Sequence, residues 1–292
     1  MEDRLMSSVL FDAPGPKARA RHRLYTVISA LVILGLLYLG FRQLDRRGQF
    51  DYALWEPFVT PRIINVLLEG LGHTVLAAVI AISLSVGFGA IFGVGKLSEH
   101  RVLRWPSWLV VEFFRAVPLL MLIIATWYWL GAKTGQMAFW SLVIGLTLYN
   151  GAVLAEVFRA GINALPKGQS EAAYALGMRK SQVMRIILIP QAVKIMLPAI
   201  INQAVTALKD TTLGYAITAP GVVYAAKPVY QEFRNILQTA IVLAIVFIVV
   251  NLILARIATY LERRLAGGKK LDLTAIGVAS ETGEDPAARA SL

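Results

Sequence analysis

Few residues of this chain could do chemistry, and most of those are carboxylates and cations set into apolar surroundings. Glu112 with Arg115, and Glu156 with Arg159, stand three apart, the spacing at which two side chains pair on one face of a helix. Charge at bilayer depth is costly unless paired or able to reach the interface, so such residues are functional candidates by default. The second pair closes an apolar run, where snorkelling is easy, and reads as a structural ion pair. Arg115, just ahead of Pro118, suits either role. Further on, Gln191, Lys194, Pro198, Asn202, Thr206 and Lys209 recur every three or four residues and give one helix a polar face. Such a face is unsuited to lipid. It can offer hydrogen bonds from Asn202 and Thr206, and a charge from Lys209, to a polar solute, or it can tie neighbouring helices together; Lys209 can equally pair with Asp210.

Catalytic chemistry finds little support. With no cysteine, thiolate chemistry and disulfides are excluded, and His22, His73 and His100 lie far apart without ligand spacing. No nucleophile with a base and no carboxylates of catalytic spacing occur. Gly87-x-Gly89 sits inside an apolar stretch with no preceding strand, and no complete Walker A pattern occurs, so nothing here cradles a nucleotide. The expectation is a non-enzyme with no cofactor.

What must position these residues is a set of membrane helices. Hydrophobic types make up 57% of the 292 residues and charged types 16%, a balance that belongs to a protein dissolved in lipid. Roughly 20 apolar residues cross a bilayer as a helix, and six such runs emerge: Leu24 to Phe41, Gly72 to Val94, Ser107 to Leu130, Phe139 to Phe158, Ile187 to Leu208 and Ile236 to Ile257. The first follows the basic run Lys17, Arg19, Arg21, Arg23 and has no small-x-small cleavage site after it, so it reads as an uncleaved anchor. The second carries Ala81, Ser85, Gly89 and Gly93 at four-residue intervals, a seam of small residues that lets another helix come close. The third is interrupted by Glu112, Arg115 and Pro118.

The fold class is therefore all-α: a polytopic bundle of six transmembrane helices. Basic residues are retained on the cytoplasmic side. With the N-terminus inside, the inner segments hold nineteen Lys and Arg and the outer ones eight, which places both termini in the cytoplasm. Scattered over four inner segments, these charges form no nucleic-acid patch. The stretch after Leu271 has no apolar periodicity and reads as a disordered tail.

Between the fourth and fifth spans, on the inner side, the chain reads helix, turn, helix. Pro166 suits a first helical turn, Glu171, Ala172 and Ala173 propagate it, Gly177 can end it in the left-handed conformation, and a second short helix starts near Ser181. The pair presents a carboxylate at Glu171 and a small-residue face at Ala172 and Ala173. Glu171-Ala172-Ala173, Gly177 and Ile187-x-Ile189-Pro190 resemble the EAA loop of binding-protein-dependent ABC permeases, with Ile189 where that family most often has leucine. Phe113-Phe114-Arg115-x-x-Pro118, Glu156-x-x-Arg159, Pro166-x-Gly168-Gln169-x-Glu171 and Lys209-Asp210-Thr211-Thr212-Leu213 resemble the polar amino-acid permeases, and the order of blocks is similar to actinobacterial glutamate permease subunits.

This resemblance implies a five-helix permease core over 72–265 with a coupling loop at 164–185, preceded by a cytoplasmic segment 1–23, an added helix 24–41 and an extracytoplasmic segment 42–71, and followed by a tail 266–292. It implies that Gly168, Gln169, Glu171, Ala172, Ala173 and Gly177 dock on an ATP-binding subunit dimer that supplies the energy. Gln191, Asn202, Thr206 and Lys209 are candidates for the translocation path. The implied partners are a second homologous permease or a second copy of this chain, an extracytoplasmic solute-binding protein, an amino-acid substrate, with glutamate foremost, and the lipid of the cell membrane. The competing reading is an ion-coupled secondary transporter or channel without a partner ATPase, in which the docking loop has no purpose.

Overall fold

A computed structural model describes residues 15–131 and 133–265; the tail expected over 266–292 and residues 1–14 of the expected N-terminal segment 1–23 lie outside the described residues. Every regular element described is helical. Five helices are long and apolar enough to cross a membrane, or six if one bent pair counts as a single span. The main helices are α1 (Pro16–Arg46), α2 (Pro61–Lys96), α3 (Arg101–Ala116), α4 (Leu119–Trp129), α5 (Gly135–Asn163), α6 (Lys167–Ala175), α7 (Ile189–Asp210) and α8 (Ile236–Leu265).

The third expected span is not one straight helix. It divides into α3 and α4, bent by 104°. Val117 is extended at φ −79°, ψ 129°, and Pro118 follows at φ −55°, ψ 133° as the residue before α4. A proline clashes with a helical residue before it and pushes that residue toward extended backbone. The interruption at Pro118 thus becomes a corner.

The described chain forms two compact units: 15–64 together with Pro228–Ala240, and Asn65–Lys227 together with 241–265. Within the first, polar side chains at the start of α8 satisfy backbone groups of the connecting segment. Asn235 Nδ2 donates to the Leu54 carbonyl at 2.9 Å and Gln238 Nε2 to that of Gln49 at 2.5 Å. Both side chains are buried, where an unbonded amide would cost about 1–3 kcal/mol.

In the second unit α5 is central. Leu142, Val143 and Leu146 pack with Ala77 and Ala81 of α2 and Ile123 of α4, while Leu154, Phe158 and Ile162 pack with Ala192 and Met196 of α7. The small-residue seam of α2 forms as expected: Ala81, Ser85, Gly89 and Gly93 are all buried. A Cβ on Gly89 would stand 2.8 Å from that of Leu154 and 3.1 Å from the Ala155 nitrogen, so only glycine lets the two backbones meet. This is how membrane helices gain packing contact where lipid already matches their hydrophobicity.

Candidate functional site

The loop between α5 and α7 folds as its composition indicates, with differences of detail. Pro166 stands just before α6 at ψ 126°, not within its first turn. Gly177 ends the helix at φ +77°. Around it the Met178 N–H donates to the Ala173 carbonyl at 3.2 Å and the Gly177 N–H to that of Tyr174 at 2.9 Å, the double bond of a Schellman ending, which favours glycine at this position. The next helical turn, Lys180–Gln182, begins one residue before Ser181, with the Arg179 N–H held by Gln182 Oε1 at 2.8 Å. It runs through a π-helical segment, Val183–Leu188, straight into α7. The second short helix is therefore the root of the fifth span.

Glu171 and Ala172 are exposed, as are Gly168 and Gly177. Ala173 is turned inward, 3% exposed, so the small-residue face expected of Ala172 and Ala173 together is divided: one alanine packs inside and the other faces out beside the carboxylate. Gln169 is half-buried and its Oε1 has no hydrogen-bond partner among the described residues. Glu171 makes no ion pair among them either.

Close by lies a charge cluster that local spacing only half reveals. Arg115 pairs with Glu112 at 3.5 Å and Arg159 with Glu156 at 2.9 Å, the two expected pairs. Both carboxylates also bind Lys96, the last residue of α2, whose ammonium stands 3.1 Å from Glu112 Oε1 and contacts Glu156 Oε1. Lys96 is 6% exposed and joins α2, α3 and α5. Sequence reasoning counted it only as an inner-loop charge, because partners 16 and 60 residues away leave no periodic signal. A second tie, from Lys180 Nζ to Glu99 Oε1 at 2.8 Å, connects the segment after α2 to the root of α7. The Lys180 hydrogen bond, helped by its charge, holds the Glu99 carboxyl below the usual glutamate range.

The polar stripe of α7 faces outward. Lys194, Asn202, Thr206 and Lys209 are exposed and Gln191 and Pro198 half-buried, whereas Ala192, Met196, Ala207 and Leu208 are buried. Within the stripe the hydrogen bonds are local: Gln191 Nε2 to the Ile187 carbonyl at 3.0 Å and Thr206 Oγ1 to that of Asn202 at 3.0 Å. The interhelical polar contact is made instead by Gln203, which donates to Asn150 Oδ1 at 2.5 Å. Neither residue had been singled out; Asn150 alone inside an apolar run was the available signal.

Apolar helices with a short polar helix held at one end, an outward polar face on one span and charges tied across helix ends define a transport subunit embedded in the membrane. The chain belongs to the family of binding-protein-dependent transport system inner membrane components, whose model matches residues 85–267. It is 42% identical over 231 residues to the glutamate transport system permease protein GluD of Corynebacterium glutamicum, covering 77% of this chain and 85% of that one. It is 32% identical over 204 residues to the arginine transport system permease protein ArtQ of Bacillus subtilis, covering 69% and 93%. Among solved structures it is similar to a crystal structure of an amino acid ABC transporter with histidines, at a TM-score of 0.64 and 27% identity, covering 70% of this chain and 95% of that one. An inward-facing MetNI methionine ABC transporter, at 18% identity and a TM-score of 0.62, shares the fold. The chain is thus the membrane-spanning permease subunit of an ABC importer, and ATP hydrolysis resides in a separate subunit.

Proposed function

We propose that this permease carries a polar amino acid into the cell, with glutamate as the substrate, and that α6 is the coupling helix that engages the ATP-binding subunit. The identity to the glutamate permease protein GluD supports the substrate. The observation that carries the coupling role is the exposed Glu171–Ala172 surface on a helix fixed at its far end by Gly177 and backed by buried Ala173. A carboxylate so held can accept charge-assisted hydrogen bonds from an arginine or backbone N–H of the partner.

In this reading both termini face the cytoplasm, α1 is an addition before a five-helix core, and closure of the ATPase dimer moves α6. Continuity from Lys180 through the π-helical segment into α7 lets that rigid-body movement reach the helix bearing Gln191, Asn202, Thr206 and Lys209. The exposed stripe of α7 faces a second permease, either another copy or a homologous chain, and lines the path between them, where Lys209 attracts the substrate carboxylate. An extracytoplasmic binding protein delivers the substrate.

The test is uptake of radiolabelled glutamate into proteoliposomes holding this chain, its ATP-binding subunit and the neighbouring permease, with binding protein outside and ATP inside. Uptake requiring both ATP and binding protein is expected, and Glu171→Arg is expected to abolish it while the subunit still inserts. Normal uptake by that variant sinks the coupling role, and ATPase stimulation only by a binding protein loaded with another amino acid sinks the glutamate assignment.

A further inference from the structure

A cavity of about 600 Å³ opens beside the Lys96 cluster, lined by Lys96, Glu112, Glu156 and Arg159 and by Arg104, Trp105 and Trp108 of α3. Its charges are unevenly satisfied. Glu112 is bound by Lys96 and Arg115, and Glu156 by Lys96 and Arg159, so each carboxylate already has two cations. Arg104 makes no ion pair among the described residues and is exposed. The unsatisfied demand of the cavity is therefore for an anion, and a guanidinium meets a phosphate through two parallel N–H donors.

Its position says which anion. Lys96 is the last residue of α2, Arg104 lies in the first turn of α3, and Arg159 in the last two turns of α5. These helix ends put the cavity at a membrane–water boundary, whichever leaflet that is. Trp105 and Trp108, one and two turns into α3, are 67% and 49% exposed, and indoles near a membrane–water boundary sit at headgroup level with their apolar body against the acyl boundary. A free anion uses the cation alone. A phospholipid offers both a phosphate to Arg104 and glycerol and acyl carbons to the indoles, and basic pockets between transmembrane helices suit acidic headgroups.

We propose that this cavity binds the phosphate of an anionic phospholipid, with Arg104 as its main ligand, Trp105 and Trp108 flanking the glycerol end, and Lys96 and Arg159 contributing positive field from behind. The site requires only that the chain spans a membrane, so it stands or falls separately from the substrate and coupling proposals.

The experiment reads tryptophan emission from the complete transporter in phosphatidylcholine vesicles holding a fixed minor fraction of brominated phosphatidylglycerol or, in parallel, brominated phosphatidylcholine. Stronger quenching by the phosphatidylglycerol is expected, and a Trp105→Phe, Trp108→Phe double variant should lose that excess. Arg104→Gln should weaken the apparent affinity about fivefold, the effect of one basic side chain at an anionic surface, while Arg104→Lys, which keeps the charge and serves as the folding control, should lose less. Equal quenching by the two lipids, protection from both, or an excess untouched by Arg104→Gln overturns the proposal. A second arm adds inorganic phosphate: an excess that millimolar phosphate abolishes assigns the site to phosphate in solution and overturns the lipid, whereas an excess that survives supports it.

Discussion

Helices α1 and α5 are both long enough and apolar enough to cross a bilayer, yet their surroundings are opposite. The span within α1 has none of its residues buried, whereas most of α5 is buried, although α5 is the less hydrophobic of the two. Apolar character cannot drive burial where the alternative solvent is lipid. What distinguishes α5 is its supply of small and polar residues: Ser141, Gly145, Asn150, Gly151, Ala152, Ala155 and Gly161 are all buried. These let backbones approach and hydrogen bonds form across helices. In α1 the exposed run is mainly Leu, Ile, Val and aromatic side chains, with Thr26, Ser29, Ala30, Gly35 and Gly40 scattered among them, and the large ones gain from neighbouring helices little that lipid does not already give.

The hardest blow to this contrast would be a bulky residue tolerated on α5. A Cβ on Gly151 would meet the Phe88 ring at 2.7 Å, so Gly151→Leu should reach or exceed the top of the ~1–3 kcal/mol usual for overpacking. We expect little folded subunit to survive detergent extraction, and a normal yield would show that the helices can slide apart without loss. Next in size is Lys96→Met. It strands two carboxylates that are 39% and 20% exposed and that keep Arg115 and Arg159, so the cost should be about 2 kcal/mol, below the 3–5 of a fully buried pair. Glu112→Gln, which leaves Lys96 with Glu156, should cost under about 1 kcal/mol. Thermal unfolding of the detergent-solubilised subunit separates the two, and equal costs would mean Lys96 is no hub.

A matched pair of deletions addresses the comparison directly. Leu146 of α5 is 0% exposed and Leu34 of α1 is 61% exposed. In water a buried Leu→Ala change costs about 2–5 kcal/mol; in lipid the transfer part falls away and the lost packing remains. Leu146→Ala should thus cost roughly 1–2 kcal/mol and Leu34→Ala close to nothing in the isolated subunit. Should Leu34→Ala weaken the assembled transporter alone, α1 is a surface for a partner helix.

How much of this was legible in the sequence follows the range of each signal. The spans, the seam of Ala81, Ser85, Gly89 and Gly93, the two i,i+3 ion pairs and the left-handed Gly177 all rest on residues within a few turns of one another, and the structure holds each of them except the third span, which it breaks into two helices. The 104° corner was legible only as an interruption, because a proline announces a break without giving its angle. Lys96 as a hub, the Gln203–Asn150 contact and the carbonyls held by Asn235 and Gln238 were out of reach, since they join segments 53 to 189 residues apart or, for Lys96 and Glu112, different helices. Coupling of α6 to an ATPase came from motif resemblance; spacing alone gave only a short helix and a turn.

The smallest effect tests whether the Lys180–Glu99 tie differs in kind from the Lys96 cluster. Its carboxylate is 76% exposed, and exposed pairs contribute little because water and salt screen them. Glu99→Gln should therefore leave the thermal midpoint at neutral pH unchanged. The pair should still be visible in titration. A carboxyl lowered by Lys180 adds its small stabilisation above the ordinary glutamate pKa and loses it as pH falls through the lowered value. Titration of the labelled Glu99 carboxyl by NMR should show a midpoint below that of an ordinary glutamate, returning to the ordinary range in Lys180→Ala and moving toward it in high salt. A thermal loss in Glu99→Gln matching that of Lys96→Met would instead show that this pair, too, is shielded from water, and the contrast between a screened tie at the loop and a desolvated hub at the helix ends would fail.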